Sequence, residues 1–229
     1  MIDTITVLPE FGITLTLLAY LVSRRVLRNV HSPIANPIVV ASLVCIAILR
    51  VTGIPISHYQ QGGDLLMMLI LPATICLAVM VYENLDSLKG NYLPIAVGST
   101  VGAFVSIASV LLLSKLFGLS LILERSLLTK SVTTAIAIEL VPVTSADLSI
   151  VVMSVIITGI SGTLIGPVIL RLFKVKNPVL QGIAMGTSSH VIGTSRAMEL
   201  GKQQGAASSV ALFVTGLVTV GMLLALYHI

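Results

Sequence analysis

The residues from Tyr92 to Ser114 read YLPIAVGSTVGAFVSIASVLLLS, an uncharged apolar stretch that decides the fold class. A helix crosses the hydrocarbon core of a bilayer with about 20 mostly apolar residues, so this stretch alone is long enough to span a membrane. Further stretches of this kind run from Asn29 to Leu49, Leu65 to Tyr82, Leu148 to Leu170 and Gln203 to Ile229, and from Ile5 to Val22 with one acidic residue, Glu10. We therefore predict an all-α polytopic membrane protein with about six full spans.

The composition of the whole chain agrees with this prediction. Of its 229 residues, 56% are hydrophobic and only 10% are charged, and the mean hydropathy is +1.08, whereas a soluble domain carries roughly 25% charged residues. We expect one domain over residues 1–229, crossing the plasma membrane several times. The net charge of +4 is spread over short clusters, which argues against nucleic-acid binding. Cys45 and Cys76 both lie inside apolar stretches, so the sequence predicts no disulfide scaffold and no metal site.

Basic loops give the expected orientation, because Lys and Arg concentrate on the cytoplasmic side of a membrane. Such loops contain Arg24, Arg25 and Arg28 after the first span, and Arg171, Lys174 and Lys176 after the Leu148 span. Placing both loops in the cytoplasm puts the N-terminus outside. The span count then requires Leu119 to Val141 to enter and leave on one side, as a re-entrant hairpin or as two very short crossings. The same count makes Asn177 to Leu200 a second polar hairpin or broken helix.

The two polar segments resemble each other at an offset of 60 residues. The matching pairs are Thr134 with Thr194, Ala137 with Ala197, Glu139 with Glu199, Leu140 with Leu200 and, upstream, Gly102 with Gly162. A unit of one span and one hairpin reverses its orientation each time it repeats, which is the inverted-repeat logic of secondary transporters. Chance matching of small residues is the alternative.

The first polar segment places a lysine beside several hydroxyl groups. The residues concerned are Lys130, Ser131, Thr133 and Thr134. Irregular backbone at membrane depth needs protein or a wet cavity around it, and a helix beginning there directs free N–H groups at an anion. These residues are therefore candidates for a carboxylate-binding site. The structural alternative is that Lys130 reaches to the interface while the hydroxyls cap a helix or bridge to its neighbours.

The second polar segment carries a histidine and an arginine between small polar residues. Its candidate residues are Ser188, Ser189, His190, Gly193, Thr194 and Arg196. Ionisable groups inside a membrane are functional candidates by default, and histidine exchanges a proton near neutral pH, so His190 is a candidate for substrate binding or proton coupling. Arg196 has a structural alternative, because it lies three residues before Glu199 and can pair with it on one helix face.

Prolines and glycines mark weaker candidates. The pairs Asn36 with Pro37 and Pro72 with Thr74 are candidates for supporting a helix break, since proline frees backbone carbonyls; a kink or a helix start is the simpler interpretation. Pairs of glycines four residues apart, Gly98 with Gly102, Gly162 with Gly166 and Gly182 with Gly186, predict close helix packing.

Several catalytic signatures are absent from the sequence. It contains no phosphate-binding P-loop, no H-E-x-x-H zinc motif and no G-x-S-x-G nucleophile elbow. We therefore predict neither an ATP-driven pump nor an enzyme, and no cofactor.

The two polar motifs make the chain similar to a known family. The strings from Lys130 to Thr134 and from Ser189 to Glu199 resemble those of the LrgB/CidB family of bacterial membrane proteins, and Asn36-Pro37 and Pro72-Ala73-Thr74 fall where that family has its corresponding residues. The resemblance covers nearly the whole chain. The sequence departs from the family pattern at Leu71, Ala135 and Val191, where glycine, proline and glycine are usual.

The resemblance implies two accounts of function. In one, these proteins are antiholin-like and act with a small LrgA/CidA-type membrane partner on murein hydrolase activity, autolysis and programmed cell death. In the other, which follows relatives that include a plastid glycolate/glycerate translocator, they carry small 2-hydroxy or 2-oxo monocarboxylates such as glycolate, glycerate or pyruvate. The polar hairpins favour the carrier, with proton coupling through His190 and a homodimeric assembly as further expectations.

Overall fold

The computed structural model describes residues 6–29, 37–69, 72, 75–76, 79, 82 and 89–227. Its regular structure over these residues is helical. The chain divides into two compact units, Met1–Thr74 and Ile75–Ile229. The single domain expected from the sequence stays a prediction.

Three α-helices of the first unit lie within the described residues. They are α1 (Pro9–Val26, followed by a 3-10 turn at Leu27–Asn29), α2 (Pro37–Thr52) and α3 (Ile56–Met67). Helix α1 packs against both α2 and α3. At the α1–α3 crossing the backbones touch, because a Cβ atom on Gly62 would overlap the carbonyl oxygen of Pro9. The Thr16 and Tyr59 hydroxyls share a hydrogen bond of 2.8 Å there.

The second unit contains long helices with short ones between them. In chain order they are α4 (Tyr92–Phe117), α5 (Leu121–Leu127), α6 (Thr134–Glu139), α7 (Val141–Thr144), α8 (Leu148–Leu172), α9 (Pro178–Leu200) and α10 (Lys202–Tyr227). Helix α9 packs against α4, α8 and α10, while α5 and α6 pack on α8. One buried apolar cluster joins Ile95 of α4, Ile183 of α9 and Ala207 of α10.

Three helices of the second unit, α4, α8 and α10, are long and apolar enough to cross a membrane. They confirm a helix at three of the expected spans. In the first unit, Val40–Thr52 is apolar but shorter, and the expected Leu65 to Tyr82 span lies partly outside the described residues. The total of six spans and the orientation of the chain therefore stay predictions.

The surface of the second unit is apolar and part of its interior is polar. Leu93, Leu112 and Leu116 of α4 are 74%, 68% and 74% exposed. By contrast, Ser208 and Thr215 of α10 are fully buried. This arrangement is typical of membrane helices, which face lipid with large apolar side chains and pack together through small and hydroxyl-bearing ones. The helical membrane protein predicted from the sequence is thus supported by its side-chain distribution.

Both polar segments are broken helices, interrupted at corresponding places. Residues 128–133 connect α5 to α6 without helical structure. Helix α9 is interrupted at Ser189 and His190, whose φ and ψ angles are −135° and 16°, and 43° and −136°. The offset of 60 residues relates Ser189 and His190 to Thr129 and Lys130. The sequence similarity therefore extends to the position of the helix breaks.

The break in α9 is a sharp bend. In a straight helix residues 185 and 193 would be separated by about 12 Å along the axis. Here Gly193 approaches the carbonyl oxygen of Met185 so closely that a Cβ atom on Gly193 would stand 2.6 Å from it. The second half of α9 is thus folded toward the first.

The three glycine pairs predicted to permit close packing do so, and all of them are at contacts of α9. Added Cβ atoms would press Gly98 and Gly102 against Ile183 and Thr187, Gly162 and Gly166 against Ser189 and Met185, and Gly182 and Gly186 against Ser208. Because glycine has no side chain, α4, α8 and α10 all approach the broken helix closely.

Candidate functional site

A cleft of about 370 Å³ opens between α4, the first half of α9 and the break between α5 and α6. We call it the Lys130 cleft. It is lined by Gly98, Gly102, Val105 and Ser106 of α4, by Lys130 and Ser131 of the break, and by Ile183, Ala184, Thr187 and Ser188 of α9. Its size falls within the roughly 300 to 1,000 Å³ that is typical of small-molecule sites.

Lys130 is held by two serine hydroxyls. Its ammonium Nζ donates to Ser106 Oγ at 2.9 Å and to Ser131 Oγ at 3.2 Å. The two hydroxyls also share a hydrogen bond of 2.9 Å. An ammonium has three N–H donors, so this arrangement fixes the charged group and leaves it one donor for a ligand.

The charge of Lys130 has no acidic counterpart in the part of the chain that the structure describes. The ion pair found there joins Arg196 to Glu199, and no described carboxylate lies within 4.0 Å of Lys130 Nζ. A half-buried cation that has only neutral hydroxyl partners costs free energy, because neither water nor an opposite charge fully compensates it. The cleft is therefore suited chemically to a small anion.

The threonines that follow the break have structural partners. Thr133 caps α6, and its hydroxyl accepts a hydrogen bond from the Ile136 amide at 3.3 Å. Thr134 is the first residue of α6 and is half-buried. Neither residue lines the cleft. This cap occupies the Ile136 amide, which is one of the free N–H groups at the start of α6 that the sequence suggested for anion binding.

His190 is buried at the bend of α9 and lies outside the cleft lining. Its imidazole is 2% exposed, and Nε2 donates to the carbonyl oxygen of Val155 in α8 at 2.9 Å. The neighbouring Ser189 is fully buried, and its hydroxyl bonds to that of Ser188 at 2.9 Å. Ser188 is the member of this group that reaches the cleft.

The remaining candidates of the second segment serve packing in this structure. Gly193 lies against Met185 and Ser189, as described above. The Thr194 hydroxyl donates to the His190 carbonyl at 2.9 Å and shares a 2.8 Å hydrogen bond with Ser208 of α10. Arg196 pairs with Glu199, as the structural alternative anticipated, and the two side chains are 37% and 64% exposed.

The proline candidates lie in the first unit. Pro37 is the first residue of α2, which agrees with the helix-start interpretation. Pro72 is one of the isolated helical residues described between positions 70 and 88. Asn36 and Thr74 lie outside the described residues.

Sequence reasoning missed Ser106 and Thr187. Ser106 lies inside a strongly apolar helix, where single hydroxyls are ordinary, and Thr187 lies in the second polar segment, directly before the candidates Ser188 and Ser189. A signal was nevertheless present, because Gly98, Gly102 and Ser106 follow one another at intervals of four residues and so share one face of α4. That face is the wall of the cleft.

Comparison with known proteins identifies one family. A sequence profile described as "LrgB-like family" matches residues 16–229. The Antiholin-like protein LrgB of Bacillus subtilis is 32% identical over 216 residues, which cover 94% of this chain and 94% of that protein. The protein of the same name from Bacillus mycoides is 31% identical, again over 94% of both chains. YwbG of Bacillus subtilis, named an uncharacterized protein, is 33% identical over 90% of this chain and 91% of its own length. No solved structure matches.

Proposed function

This chain belongs to the LrgB-like family, and on that premise we propose that it is a carrier of small monocarboxylates that binds its substrate in the Lys130 cleft. The proposed substrates are short 2-hydroxy and 2-oxo acids of the glycolate, glycerate and pyruvate type. The observation that carries the proposal is the fixed, half-buried ammonium of Lys130, which has hydroxyl partners and no described counter-ion.

The lining of the cleft is consistent with short substrates. One N–H of Lys130 and one of the two serine hydroxyls, Ser106 or Ser131, are left to donate charge-assisted hydrogen bonds to a carboxylate. Most of the remaining wall is glycine or apolar, including Val105 and Ile183. A few polar groups in an otherwise apolar site fix the orientation of a small ligand.

The broken helices support alternating access. In secondary transporters, interrupted helices surround a site near the bilayer midplane, and movement of one repeat against another opens the site to either side. The breaks at Lys130 and His190 occupy corresponding positions in the two similar segments. We propose that these segments are re-entrant and lie in the plasma membrane, and that His190 contributes to proton coupling.

The direct test is uptake of radiolabelled glycolate and pyruvate into proteoliposomes, with and without an imposed pH gradient. Saturable uptake is expected for the wild-type protein, and Lys130→Gln is expected to reduce it at least about tenfold, because a hydrogen bond to a charged group is lost. Lys115→Gln is the matched control, since Lys115 is exposed at the end of α4 and lies outside the cleft. Equal uptake by wild type and Lys130→Gln would reject the proposed site.

A second candidate function is an antiholin-like regulator, and the names of the relatives favour it more directly than they favour transport. In this account the chain acts through a small LrgA/CidA-type membrane partner on murein hydrolase activity and autolysis. The two accounts are compatible if carboxylate traffic is the cause and altered lysis the consequence.

Cell lysis separates the two accounts. If transport is the primary activity, Lys130→Gln expressed at wild-type levels changes the lysis phenotype as a deletion does. If the protein regulates lysis by assembly alone, Lys130→Gln keeps the wild-type phenotype, and only variants that no longer co-purify with the small partner lose it.

A further inference from the structure

Basic side chains gather at one end of the second unit, where α8 ends and where α9 and α10 begin. We call this set the basic rim, and its members, all of them exposed, are Arg171, Lys174, Lys176 and Lys202. Between Arg171 and Lys202 the sequence contains one acidic residue, Glu199, and its carboxylate already pairs with Arg196. The positive charges of the basic rim are therefore not balanced by any acidic residue of this stretch.

The fold of α9 places Lys202 next to the loop between α8 and α9. A Cβ atom on Gly182, in the second turn of α9, would overlap the carbonyl oxygen of Gln204. The side-chain amide of Gln204 donates to Gln181 at 3.2 Å, and that of Gln181 donates to the Val175 carbonyl in the loop at 2.7 Å. These contacts fix the start of α10 beside the start of α9, so the four cations form one surface.

Lys174 occupies a backbone position that normally belongs to glycine. Helix α8 ends in a Schellman turn, in which the Lys174 amide donates to the Arg171 carbonyl at 3.0 Å and the Val175 amide to the Leu170 carbonyl at 2.9 Å. The φ angle of Lys174 is 53°, and glycine is usual there because a Cβ atom is strained in this conformation. Lysine weakens such a turn, so its side chain calls for a role other than ending the helix.

Large apolar side chains are exposed beside these cations. Leu172 and Phe173, which lie between Arg171 and Lys174, are 74% and 73% exposed. Leu180, in the first turn of α9, is also exposed. A phospholipid complements both features, because its headgroup is charged and its acyl chains are apolar, whereas a soluble anion would use only the cations.

We propose that the basic rim is a binding site for an anionic phospholipid. The lysines and Arg171 bind the headgroup, and the acyl chains lie along Leu172 and Phe173. Because the site combines the end of α8 with the starts of α9 and α10, the bound lipid links the three helices at the base of the bent helix. This inference does not depend on the carrier proposal.

Thermal stability of the full-length protein in detergent tests the site. Phosphatidylglycerol and phosphatidylcholine with the same acyl chains are titrated separately, and the fraction that stays monodisperse after heating is measured. A ligand that binds only the folded protein raises the midpoint of this transition. Phosphatidylglycerol should reach its full effect at a concentration at least about tenfold lower than phosphatidylcholine, because several basic side chains contact an anionic headgroup.

Lys174→Gly separates lipid binding from the stability of the fold. Without lipid this variant should be as stable as the wild type or more stable, because glycine suits the left-handed position. It should nevertheless need about fivefold more phosphatidylglycerol, the usual contribution of one basic side chain near anionic lipid. Lys202→Gln should show the same loss of affinity, although Lys202 lies on a different helix.

Lys115→Gln is the matched control, because it removes the same charge from an exposed position in the last turn of α4. Ile95, in the first turn of α4, packs with Val179 at the start of α9, so Lys115 lies about 30 Å away along α4. Its loss should leave the response to phosphatidylglycerol unchanged. A loss equal to that of Lys174→Gly would mean that net charge, and not the basic rim, attracts the lipid.

Two other results would overturn the inference. One is equal stabilisation of the wild type by phosphatidylglycerol and phosphatidylcholine, and the other is a Lys174→Gly protein that keeps the wild-type response. Soluble glycerol phosphate is the last probe. If it stabilises the protein as strongly as phosphatidylglycerol does, the surface binds a free phosphate and the assignment to a lipid is wrong.

Discussion

The imidazole of His190 donates a hydrogen bond from Nε2 to the backbone carbonyl oxygen of Val155, at 2.9 Å, and this bond joins the bend of α9 to α8. The φ and ψ angles of His190 are 43° and −136°, a combination outside the left-handed helical region that residues other than glycine rarely adopt. A costly backbone angle persists only where the surroundings enforce it. The hydrogen bond to Val155 is one of those constraints, so His190 has a positioning role whether or not it also carries a proton.

Replacing His190 therefore tests stability first. His190→Ala is expected to lower the free energy of unfolding by about 3 kcal/mol, because a buried hydrogen bond is lost and a cavity is left. The measurement is the fraction of detergent-solubilised protein that stays monodisperse after heating. His190→Gln is the matched variant, since its side-chain amide can donate to the same carbonyl, and it should recover much of the loss. Equal stability of His190→Ala and wild type would remove the positioning role.

The spacing between α8 and α9 gives a second prediction. A Cβ atom on Gly162 would overlap the Ser189 side chain, directly beside the bend. Gly162→Ala is therefore expected to cost about 1 to 3 kcal/mol, the usual range for overpacking. Gly221→Ala is the control, because nothing lies within 4 Å of that position, and it should be neutral or stabilise α10 by up to about 1 kcal/mol. The same heating assay compares the two variants. If both lose their monodisperse fraction at similar temperatures, the Ser189 side chain moves aside freely.

Much of the fold could be predicted from the sequence because it depends on local properties. Apolar stretches of sufficient length indicated α4, α8 and α10, which the structure contains. Polar residues inside apolar surroundings indicated the two interrupted segments, and the breaks fall at Lys130 and His190. Both signals lie within about one helix length of sequence.

The site was only partly predictable, because it depends on which helices meet. Lys130 and Ser131 stood out as polar residues in a break and do line the cleft. Ser106 and Thr187 are 81 residues apart, and they line the same cleft only because α4 packs on α9. Conversely, His190 stood out by its chemistry, yet the bend turns its imidazole toward the Val155 carbonyl of α8.

The serine pair around Lys130 gives a third prediction. Ser106→Ala removes one of the two hydroxyls that hold the ammonium, so glycolate binding should weaken by about threefold to tenfold, the range of one net hydrogen bond. Ser109→Ala is the control, because the Ser109 hydroxyl donates within its own helix to the Ser106 carbonyl at 2.8 Å and does not line the cleft. Calorimetry with the reconstituted protein measures both. If the two variants bind glycolate equally well, the position of the Lys130 ammonium does not depend on Ser106.

The bend of α9 gives a fourth prediction, which concerns its path through the membrane. A straight helix of 23 residues would be about 35 Å long and would cross a hydrocarbon core of about 30 Å. Helix α9 instead folds its second half toward its first at His190, as the contact between Gly193 and Met185 shows. We expect a helix folded in this way not to cross the bilayer, so Lys174 before α9 and Lys202 after it should face the same side of the membrane.

Cysteine labelling in intact cells checks this expectation. Lys174→Cys and Lys202→Cys are introduced separately after Cys45→Ser and Cys76→Ser have removed the native thiols. A membrane-impermeant maleimide should leave both sites unlabelled until the membrane is opened, because the basic loop around Lys174 is expected in the cytoplasm. Labelling of Lys202→Cys alone in intact cells would mean that α9 crosses despite its bend. That result would reverse α10 relative to the proposed orientation, and it would rule out a re-entrant hairpin as the second half of an inverted repeat.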